Sequence, residues 1–450
     1  MKRFLRYATL FMMSLVCAGS VWANSITDHV AVAPNNKGDV LIYPWYAALS
    51  GGWQTKLTVI NTDTTRCVVA KVVVRSMAKS QELIDFLLYL SPADVWTGTL
   101  EYDATKSNVV IYSDDESSPS AIAPTVVWPT PATSTTPAVN PIDQPLLVPT
   151  VSGDSNGIGY VEVITAASSN DTSLKPGVSK VNIYNGYKAL TTGTALPTGA
   201  IQMYYANNAV FAPTSYPNVL AGYMEFQNTT VNLSTSLRAT ALKNYRNTAA
   251  LTTSVETRLA AKANNNLAEV EAALSKEDVA MPYMTGNNVA LHFFTFPTKL
   301  TPVTNTTYGA PQGPYFGQFT PAPYCVPYLA TTYDLTEQSP STGTPFSGNY
   351  GTGSSFCGEV NLLSSASFQY AEGWAHYYFN DQNVTTPDLA ATESLTYKTP
   401  VIPTYLYLGS MGLAANYGAW TDSLVTTSVT PTTLNGYHYT RSYTVTSGVY

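Results

Sequence analysis

Charged residues are scarce in this chain. Asp, Glu, Lys and Arg make up 11% of its 450 residues, less than half of the ~25% that is usual for soluble domains. Disordered chains are rich in charge and poor in aromatic residues, whereas aromatic residues reach 12% here. The composition therefore predicts a folded chain.

Basic residues are fewer than acidic ones. There are 22 Lys and Arg against 29 Asp and Glu, which gives a formal net charge of -7. Binding to phosphate backbones or anionic lipid head groups needs clustered Lys and Arg, and the sequence holds no such cluster. We therefore expect no nucleic-acid partner. Beyond the N-terminus, no apolar run approaches the ~18 residues of a membrane-spanning helix, which argues against a helical membrane protein.

Histidine is also rare, and the four histidines stand far apart in the sequence: His29, His292, His376 and His438. Zinc sites need converging His, Cys or carboxylate ligands, usually with one short-spaced pair. No Gly-x-Ser-x-Gly motif is present either. We interpret His292 and His376, which lie among aromatic residues, as half-buried structural histidines bonded to the backbone.

Paired carboxylates would be needed for glycoside hydrolysis. Five acidic residues lie on predicted strands, namely Asp85, Glu162, Glu225, Glu359 and Glu372. Each is also explained as the solvent-facing residue of an alternating strand, and nothing in the sequence brings two of them together. We therefore predict no catalytic residues and no enzyme activity.

The N-terminus predicts export. Lys2, Arg3 and Arg6 precede a mostly apolar stretch, and Val21-Trp22-Ala23 has the small-x-small pattern that signal peptidase cuts after. We interpret residues 1–23 as a signal peptide, which would place the mature chain outside the cytoplasm.

Cysteine usage agrees with an oxidising compartment. Cys325 and Cys357 both lie beside turns and bracket a loop rich in Ser, Thr, Gly and Pro, so we predict that they form a disulfide. Cys67 lies in a run typical of a strand. We interpret it as a small buried apolar residue, with an intermolecular bridge as the alternative.

Alternating apolar residues with frequent turn signals predict a mainly β fold. We expect an antiparallel β-sandwich architecture, as one unit or as two packed β-domains. The predicted regions are a β-sandwich-like region at 24–118, a Pro/Thr-rich linker or long loop at 119–150, a β-region at 151–300, an irregular Pro/Gly/Thr-rich loop at 301–355 and a C-terminal β-region at 356–450. Val181-Asn182-Ile183-Tyr184 is one of the predicted strands.

A single segment has helical periodicity. Within residues 253–277, apolar side chains recur in steps of three and four, which predicts one inserted amphipathic helix. Its apolar stripe is one-sided, so we expect it to pack on a sheet. Lys262, Glu269, Glu271 and Lys276 are expected to face water.

Calcium is the metal that the sequence favours, and we expect no other cofactor. Asp114, Asp115 and Glu116 form one acidic turn, and Asp154 and Asn156 lie in a second. Both offer the hard oxygen ligands that calcium prefers, although neither matches a complete calcium-loop motif. Ordinary Asx turns in water are the alternative.

Several strings resemble exported proteobacterial proteins of the cell-surface or surface-layer type. The strongest is Val40-Leu41-Ile42-Tyr43-Pro44-Trp45-Tyr46 leading to Val59-Ile60-Asn61-Thr62, together with residues 84–97. The others lie at residues 159–164, 289–299, 333–337 and 356–360. The resemblance implies a bacterial cell-surface location and a β-rich architecture, without established catalytic residues. The family's run Asp-Phe-Asn-Leu is Asp85-Phe86-Leu87-Leu88 here. The extra leucine predicts a second buried face, such as a contact between domains or subunits.

The predicted surface is rich in Tyr, Thr, Ser and Asn. Charged edges normally prevent strands from adding to one another, so a chain without them can associate with its own copies. We therefore expect a non-enzymatic exported structural protein that forms homo-oligomers or a lattice in an envelope layer or extracellular matrix.

Two alternatives remain open. The first is a carbohydrate-binding or adhesive surface protein, with cell-envelope glycans as partners. It requires exposed indole rings, and the candidates are Trp45, Trp96, Trp374 and Trp420. The second is an outer-membrane β-barrel, suggested by the aromatic residue Tyr450.

Overall fold

The computed structural model describes most of the chain in segments. These are residues 30–78, 80, 82–118, 146–150, 154–205, 217–245, 266–284, 289–298, 326–336, 355–368, 370–379, 384–387, 393–409, 412–417, 419–422, 425–429 and 440–443. The predicted signal peptide at 1–23 and most of the predicted linker at 119–150 lie outside them. In the described segments, no helix combines the length and the apolar character needed to span a bilayer.

Antiparallel strands dominate the described residues. In the first half of the chain the strands are β1 (Ala31–Val32), β2 (Val40–Ala47), β3 (Trp53–Asn61), β4 (Val68–Ser76), β5 (Glu82–Leu90), β6 (Val95–Asp103), β7 (Asn108–Tyr112), β8 (Leu146–Leu147), β9 (Ile158–Ser169), β10 (Met203–Tyr205), β11 (Leu220–Asn228), β12 (Leu233–Arg238) and β13 (Thr240–Lys243). The helices are α1 (Lys180–Thr192) and α2 (Asn266–Leu274).

The second half of the chain contains shorter strands. They are β14 (Ser275–Met284), β15 (Val289–Thr295), β16 (Val326–Pro327), β17 (Leu329–Asp334), β18 (Ser355–Phe356), β19 (Val360–Ser364), β20 (Glu372–Tyr378), β21 (Val384–Pro387), β22 (Glu393–Tyr397), β23 (Thr399–Pro400), β24 (Ile402–Gly409), β25 (Gly412–Tyr417), β26 (Ala419–Asp422), β27 (Val425–Val429) and β28 (Thr440–Tyr443). Strands β16 to β18 lie partly in the segment predicted to be an irregular loop, which is therefore not wholly irregular.

Two large sheets form the N-terminal part. One has the strand order β1-β13-β2-β9-β4-β5, with β10 added to β9, and the other has the order β12-β11-β3-β6-β7-β8. Their apolar side chains share one core. Every residue of β2 is buried, as expected for a central strand that is covered on both faces. The predicted mainly β, sandwich-like fold is confirmed.

Helix α1 corrects one predicted strand. Val181-Asn182-Ile183-Tyr184 has the β-branched and aromatic composition of a strand, but it lies in this helix. Ile183 and Tyr187 pack with Leu87 of β5 in one cluster of buried residues. Leu87 is the extra leucine from which a second buried face was predicted, and this cluster buries it. It is covered by a helix of the same chain, rather than by another domain or subunit.

Helix α2 confirms the C-terminal part of the predicted helix at 253–277. Residues 253–265, which include Lys262, lie outside the described segments, and Ser275 already begins β14. Glu269, Glu271 and Lys276 are 1%, 0% and 6% exposed, so the expectation that they face water is wrong. For the two glutamates the reason is that the helix is covered on two sides, because Val270 packs in the N-terminal core and Ala272 in the core beneath the outer sheet. The Val30 N–H also donates to the Glu269 carboxylate at 2.9 Å.

Two smaller sheets stack onto the N-terminal sandwich. The inner sheet has the order β19-β15-β24-β25, and the outer sheet has the order β17-β20-β14-β23 with β26 also paired to β14. Alternate residues of β15 point to opposite sides. Phe293 belongs to the N-terminal core and Phe294 to the core beneath the outer sheet, so both faces of β15 are covered.

Trp45 lies where the inner sheet meets the N-terminal sandwich. Its ring stacks on Phe293 at 4.7 Å between centroids and meets Phe226 edge-on at 5.2 Å. The Thr295 hydroxyl donates to the Pro44 carbonyl beside it. The two parts of the chain are therefore joined through a packed aromatic contact.

Candidate functional site

The outer sheet presents one face away from the core. We call its outward side chains the aromatic face: Asp278, Ala280 and Pro282 from β14, Leu329, Thr331 and Tyr333 from β17, and Glu372, Trp374, His376 and Tyr378 from β20. The residues between them, including Val279, Met281, Ala375 and Tyr377, are buried. The alternation follows from the period of two in a strand. None of the outward side chains is Lys or Arg.

An aromatic pair lies near the centre of this face. The strand register places Tyr333 directly opposite Trp374, and the two rings stack at 4.3 Å between centroids with an angle of 14°. Both residues are half-buried. Stacked aromatic rings provide a large contact area with little loss of side-chain entropy.

A polar pair adjoins the stacked rings. The His376 Nε2 atom lies 3.3 Å from an Asp278 carboxylate oxygen, with the two side chains 33% and 30% exposed. The imidazole also meets the Trp374 ring at 6.1 Å between centroids. The face therefore combines apolar rings with hydrogen-bonding groups that solvent can reach.

Strand β17 lies at the edge of this sheet. Among the described strands its partner in the sheet is β20, and its sequence Leu-Ala-Thr-Thr-Tyr-Asp contains one charged residue, Asp334. Leu329 is 48% exposed at its start and Leu335 is 73% exposed just after its end. Edge strands of soluble proteins usually carry charge or Pro that prevents another strand from pairing, and this one has little of either.

The predicted sugar-stacking tryptophans differ in exposure. Trp45 and Trp96 are completely buried, and the Trp96 indole donates to the Ser118 hydroxyl at 3.0 Å. These two do not meet the condition of exposure, because Phe226 and Phe293 pack on Trp45 and Phe86 packs on Trp96. Trp374 does lie on an outward face. Trp420 lies in β26, where it pairs with Val279 of β14. The side chain of Trp420 lies outside the described part of the chain.

The two predicted calcium turns show ordinary hydrogen bonding. An Asp115 carboxylate oxygen accepts from the Ser117 N–H at 2.8 Å, and an Asp154 oxygen accepts from the Ala78 N–H at 2.9 Å. The Asn156 amide donates to the Asn108 side chain at 2.7 Å. Across the described segments, no group of three or more His, Cys, Asp or Glu side chains is placed to hold a metal ion. Calcium binding at Asp114, Asp115, Glu116, Asp154 and Asn156 stays a prediction.

Two of the predicted solvent-facing carboxylates are instead buried. Glu162 and Glu359 are 1% and 0% exposed. The Arg75 Nε atom donates to Glu162 at 2.8 Å, and the Ser80 and Tyr160 hydroxyls lie 2.7 Å apart. Burial raises the pKa of Glu162, while Arg75 opposes that rise. Burial, followed by the charges of Glu162 and Glu359, raises the pKa of Tyr160 well above its ordinary value.

This network was missed because its members are far apart in sequence. The available signal was Glu162, the one charged residue of β9, and Arg75 near the end of β4, a strand that also carries Lys71. Buried charges need a partner, and the sheet supplies it by placing β4 beside β9. The arrangement fixes structure and lies away from the aromatic face.

His292 is more deeply buried than expected. It is 0% exposed, and its Nε2 atom lies 2.9 Å from the Pro282 carbonyl oxygen. Because a carbonyl only accepts, Nε2 carries the proton, and Nδ1 accepts from the Tyr377 hydroxyl at 2.7 Å. Burial lowers the pKa of His292 to about 4. The predicted bond to the backbone is thus present, on a histidine that stays neutral.

Cys67 is a free, completely buried thiol, as expected for a small apolar residue. Burial raises its pKa to about 12. Thiols react as thiolates, so this one is inert, and its burial argues against the alternative of an intermolecular bridge.

The predicted Cys325–Cys357 disulfide has support from strand register. Cys325 lies just outside the described segments. Its sequence neighbour Val326 in β16 pairs with Phe356 in antiparallel β18, and Phe356 directly precedes Cys357. In an antiparallel ladder, the residue before one partner lies opposite the residue after the other, and opposite residues are close enough for a disulfide. The pairing stays a prediction that the register favours.

Reduction of this bridge is expected to lower the free energy of unfolding by roughly 3 to 4 kcal/mol, because the bridge restricts the unfolded chain. Thermal melts with and without reductant measure the effect. The Cys325→Ser/Cys357→Ser variant should melt at the temperature of the reduced wild type, and reductant should not change that temperature. Titration of the unfolded exported chain should detect the Cys67 thiol alone; reactive Cys325 and Cys357 thiols would contradict the pairing.

Comparison of the chain with protein-family models, with curated proteins and with solved structures finds no match. The resemblance to cell-surface proteins therefore stays a prediction, and the function has to follow from the residues themselves.

Proposed function

We propose that the chain is a non-enzymatic, exported structural protein of the bacterial cell surface that associates with its own copies through the aromatic face and strand β17. The observation that carries the proposal is an outward sheet face without Lys or Arg, bordered by a nearly uncharged edge strand. Its supports are the low charge of the whole chain and the export signal predicted at residues 1–23.

The chemistry of the face suits repeated contacts between identical copies. Interface cores are depleted of Lys, Glu and Asp and enriched in Tyr and Trp, and the outward residues Tyr333, Trp374 and Tyr378 match that enrichment. An edge strand can add backbone hydrogen bonds to such a contact. A surface used in this way produces a closed oligomer or an open lattice, depending on its symmetry.

Glycan binding is the second candidate for the same face. The observation in its favour is the half-buried Trp374 ring beside the His376–Asp278 pair, because a sugar needs an apolar ring to stack on and polar groups at its rim. In this case the aromatic face would hold envelope glycans and the chain itself would stay monomeric.

Size-exclusion chromatography and negative-stain microscopy of the exported chain, with and without calcium, test the proposal. Wild type is expected to form oligomers, sheets or fibres. Trp374→Ala should weaken association roughly 30-fold, since central aromatic residues contribute about 2 kcal/mol or more to interfaces. Thr331→Lys should also disrupt it, because it places a charge on the edge strand.

Val231→Lys is the matched control. Val231 is 58% exposed in the turn between β11 and β12, so the variant adds the same charge away from the aromatic face and should assemble like wild type. A wild-type chain that stays monomeric at high concentration contradicts the proposal. If that monomer also binds envelope polysaccharide in a manner sensitive to Trp374→Ala, the second candidate is supported.

A further inference from the structure

The His376–Asp278 pair is a titratable contact within the aromatic face. Asp278 of β14 is opposite Tyr378, and His376 of β20 is opposite Ala280. The two are therefore diagonal neighbours on one face of the sheet, a spacing that long side chains can bridge. The His376 Nε2 atom lies 3.3 Å from an Asp278 carboxylate oxygen, and the side chains are 33% and 30% exposed. Protons from the solvent can therefore reach the imidazole.

The residues opposite this pair on the flanking strands are uncharged. Thr331 of β17 is opposite His376, and Thr421 of β26 is opposite Asp278. The other charged residues of these four strands lie toward strand ends, namely Glu372 in β20, Asp334 in β17, Lys276 and Glu277 in β14, and Asp422 in β26. None of them forms a salt bridge with Asp278 in the described part of the chain.

The two charged residues next to Asp278 on β14 make other contacts. The Lys276 Nζ atom donates to the Ser275 carbonyl at 3.2 Å, and a Glu277 oxygen lies 2.5 Å from the Lys398 Nζ atom. Within the described segments, the histidine is thus the one group at salt-bridge distance that can give the Asp278 carboxylate a positive partner.

Contact between copies of the chain at this face would remove water from both side chains. An ionised carboxylate that loses its water is costly unless a counter-charge replaces the water, and a neutral imidazole supplies none. When the imidazole takes up one proton, the two side chains become an ion pair whose charges offset each other. A state that binds an additional proton gains stability relative to the other as the pH falls.

We propose that the His376–Asp278 pair makes self-association through the aromatic face pH-dependent: each copy takes up a proton at His376 on joining, so association strengthens on acidification. The inference rests on the proposed function, because it takes this face as the place where copies meet. Histidine changes its charge between about pH 5 and pH 8, whereas exposed carboxylates stay ionised there. The strengthening is therefore present at the acidic end of this range and is lost toward its alkaline end.

Analytical ultracentrifugation of the exported chain at about pH 5.5 and about pH 7.5, at equal ionic strength and without calcium, provides the test. Wild type is expected to associate roughly tenfold more tightly at the lower pH, since uptake of one proton contributes up to tenfold per pH unit. His376→Gln should remove this difference. Asp278→Asn should reverse it, because acid then places an imidazolium without a counter-charge in the contact.

Asp171→Asn is the matched control. Asp171 is exposed and lies outside the aromatic face, so the variant makes the same change of charge elsewhere and should keep the wild-type pH dependence. Its carboxylate accepts from the Ser173 N–H and hydroxyl, and an amide oxygen can accept both bonds. Asp39, whose pKa burial raises to about 7, is retained in every variant, so its contribution cancels in the comparison.

The outcomes distinguish this inference from the proposed function. A wild-type chain that stays monomeric at both pH values contradicts the proposed function, and the inference with it. A chain that associates equally at both, or whose pH dependence survives His376→Gln, overturns the inference alone. Dilution calorimetry of wild type in buffers of different ionisation enthalpy tests the same point without a variant. It should detect uptake of about one proton per copy on association, and no uptake would overturn the inference.

Discussion

Replacement of Arg75 by Met is expected to lower the free energy of unfolding by about 3 to 5 kcal/mol, because it leaves a carboxylate buried without its counter-charge. The Arg75 and Glu162 side chains are 7% and 1% exposed and their charged atoms lie 2.8 Å apart. A second Arg75 nitrogen donates to the Ser80 carbonyl at 3.1 Å. Urea unfolding at neutral pH, followed by tryptophan fluorescence, measures the loss.

The double variant Arg75→Met/Glu162→Met separates an unpaired charge from lost packing. Replacing both partners of a buried ion pair by apolar residues is often neutral or stabilising, so the double variant should recover most of the stability. Lys106→Met is the control for a solvent-exposed pair, since Lys106 and Asp103 lie 3.5 Å apart on the surface; it should cost less than about 1 kcal/mol. A double variant as unstable as the single one would show that packing, and not charge, explains the loss.

Acid should partly rescue the Arg75→Met variant. Burial already raises the pKa of Glu162, and Arg75 is the main group that opposes the rise. Without Arg75, a buried Glu162 carboxylate has no counter-charge and destabilises the fold. Protonation removes that charge, and it becomes more favourable as the pH falls. The gap between wild type and Arg75→Met should therefore narrow on acidification.

The sheet architecture was predictable because strand alternation is local. β11, for example, alternates buried and more exposed residues along Leu220–Asn228, and that pattern is legible in the sequence. Helix α1 was not predictable from composition, since Ile183 and Tyr184 favour strands. Its helical spacing of Ile183, Tyr187 and Leu190, together with Gly193 in the left-handed conformation at its end, was the signal that outweighed composition.

The candidate site was only partly predictable, for a different reason. Alternation shows which residues share a face of a strand, but not what covers that face. Trp45 and Trp374 both lie on aromatic-rich strands, yet Phe293 covers Trp45 and Trp374 stays at the surface beside Tyr333. The Arg75–Glu162 pair likewise depends on the pairing of β4 with β9, two segments that are distant in sequence.

Asp39 is expected to give the stability of the chain a strong pH dependence between about pH 4 and pH 7. The carboxyl is 1% exposed, and one of its oxygens accepts from the Asn218 N–H at 2.8 Å. Burial raises its pKa from 3.8 to about 7, although backbone hydrogen bonds oppose the rise. The folded state therefore keeps a proton on Asp39 that the unfolded state has already lost.

The sign follows from that difference. Below pH 3.8 both states are protonated at Asp39, and the stabilising effect of the raised pKa is fully present; it is lost as the pH rises toward about 7. A shift of about three pKa units corresponds to ~4 kcal/mol. His292 acts in the opposite direction, because its lowered pKa of about 4 removes stability as the pH falls from 6.5. The two slopes nearly cancel in the wild type.

The Asp39→Asn variant separates the contribution of Asp39 to the pH dependence of stability from that of His292. Its amide does not titrate, so the difference in unfolding free energy between variant and wild type should shift by ~4 kcal/mol in favour of the variant between about pH 4 and pH 8. Any hydrogen bond that the amide fails to make adds a constant offset and leaves this slope unchanged. Urea unfolding across that range measures it. His292 is retained in both proteins, so its contribution cancels in the difference between their unfolding free energies. If the two curves of unfolding free energy against pH run parallel, Asp39 titrates like a solvent-exposed carboxyl and the prediction is contradicted.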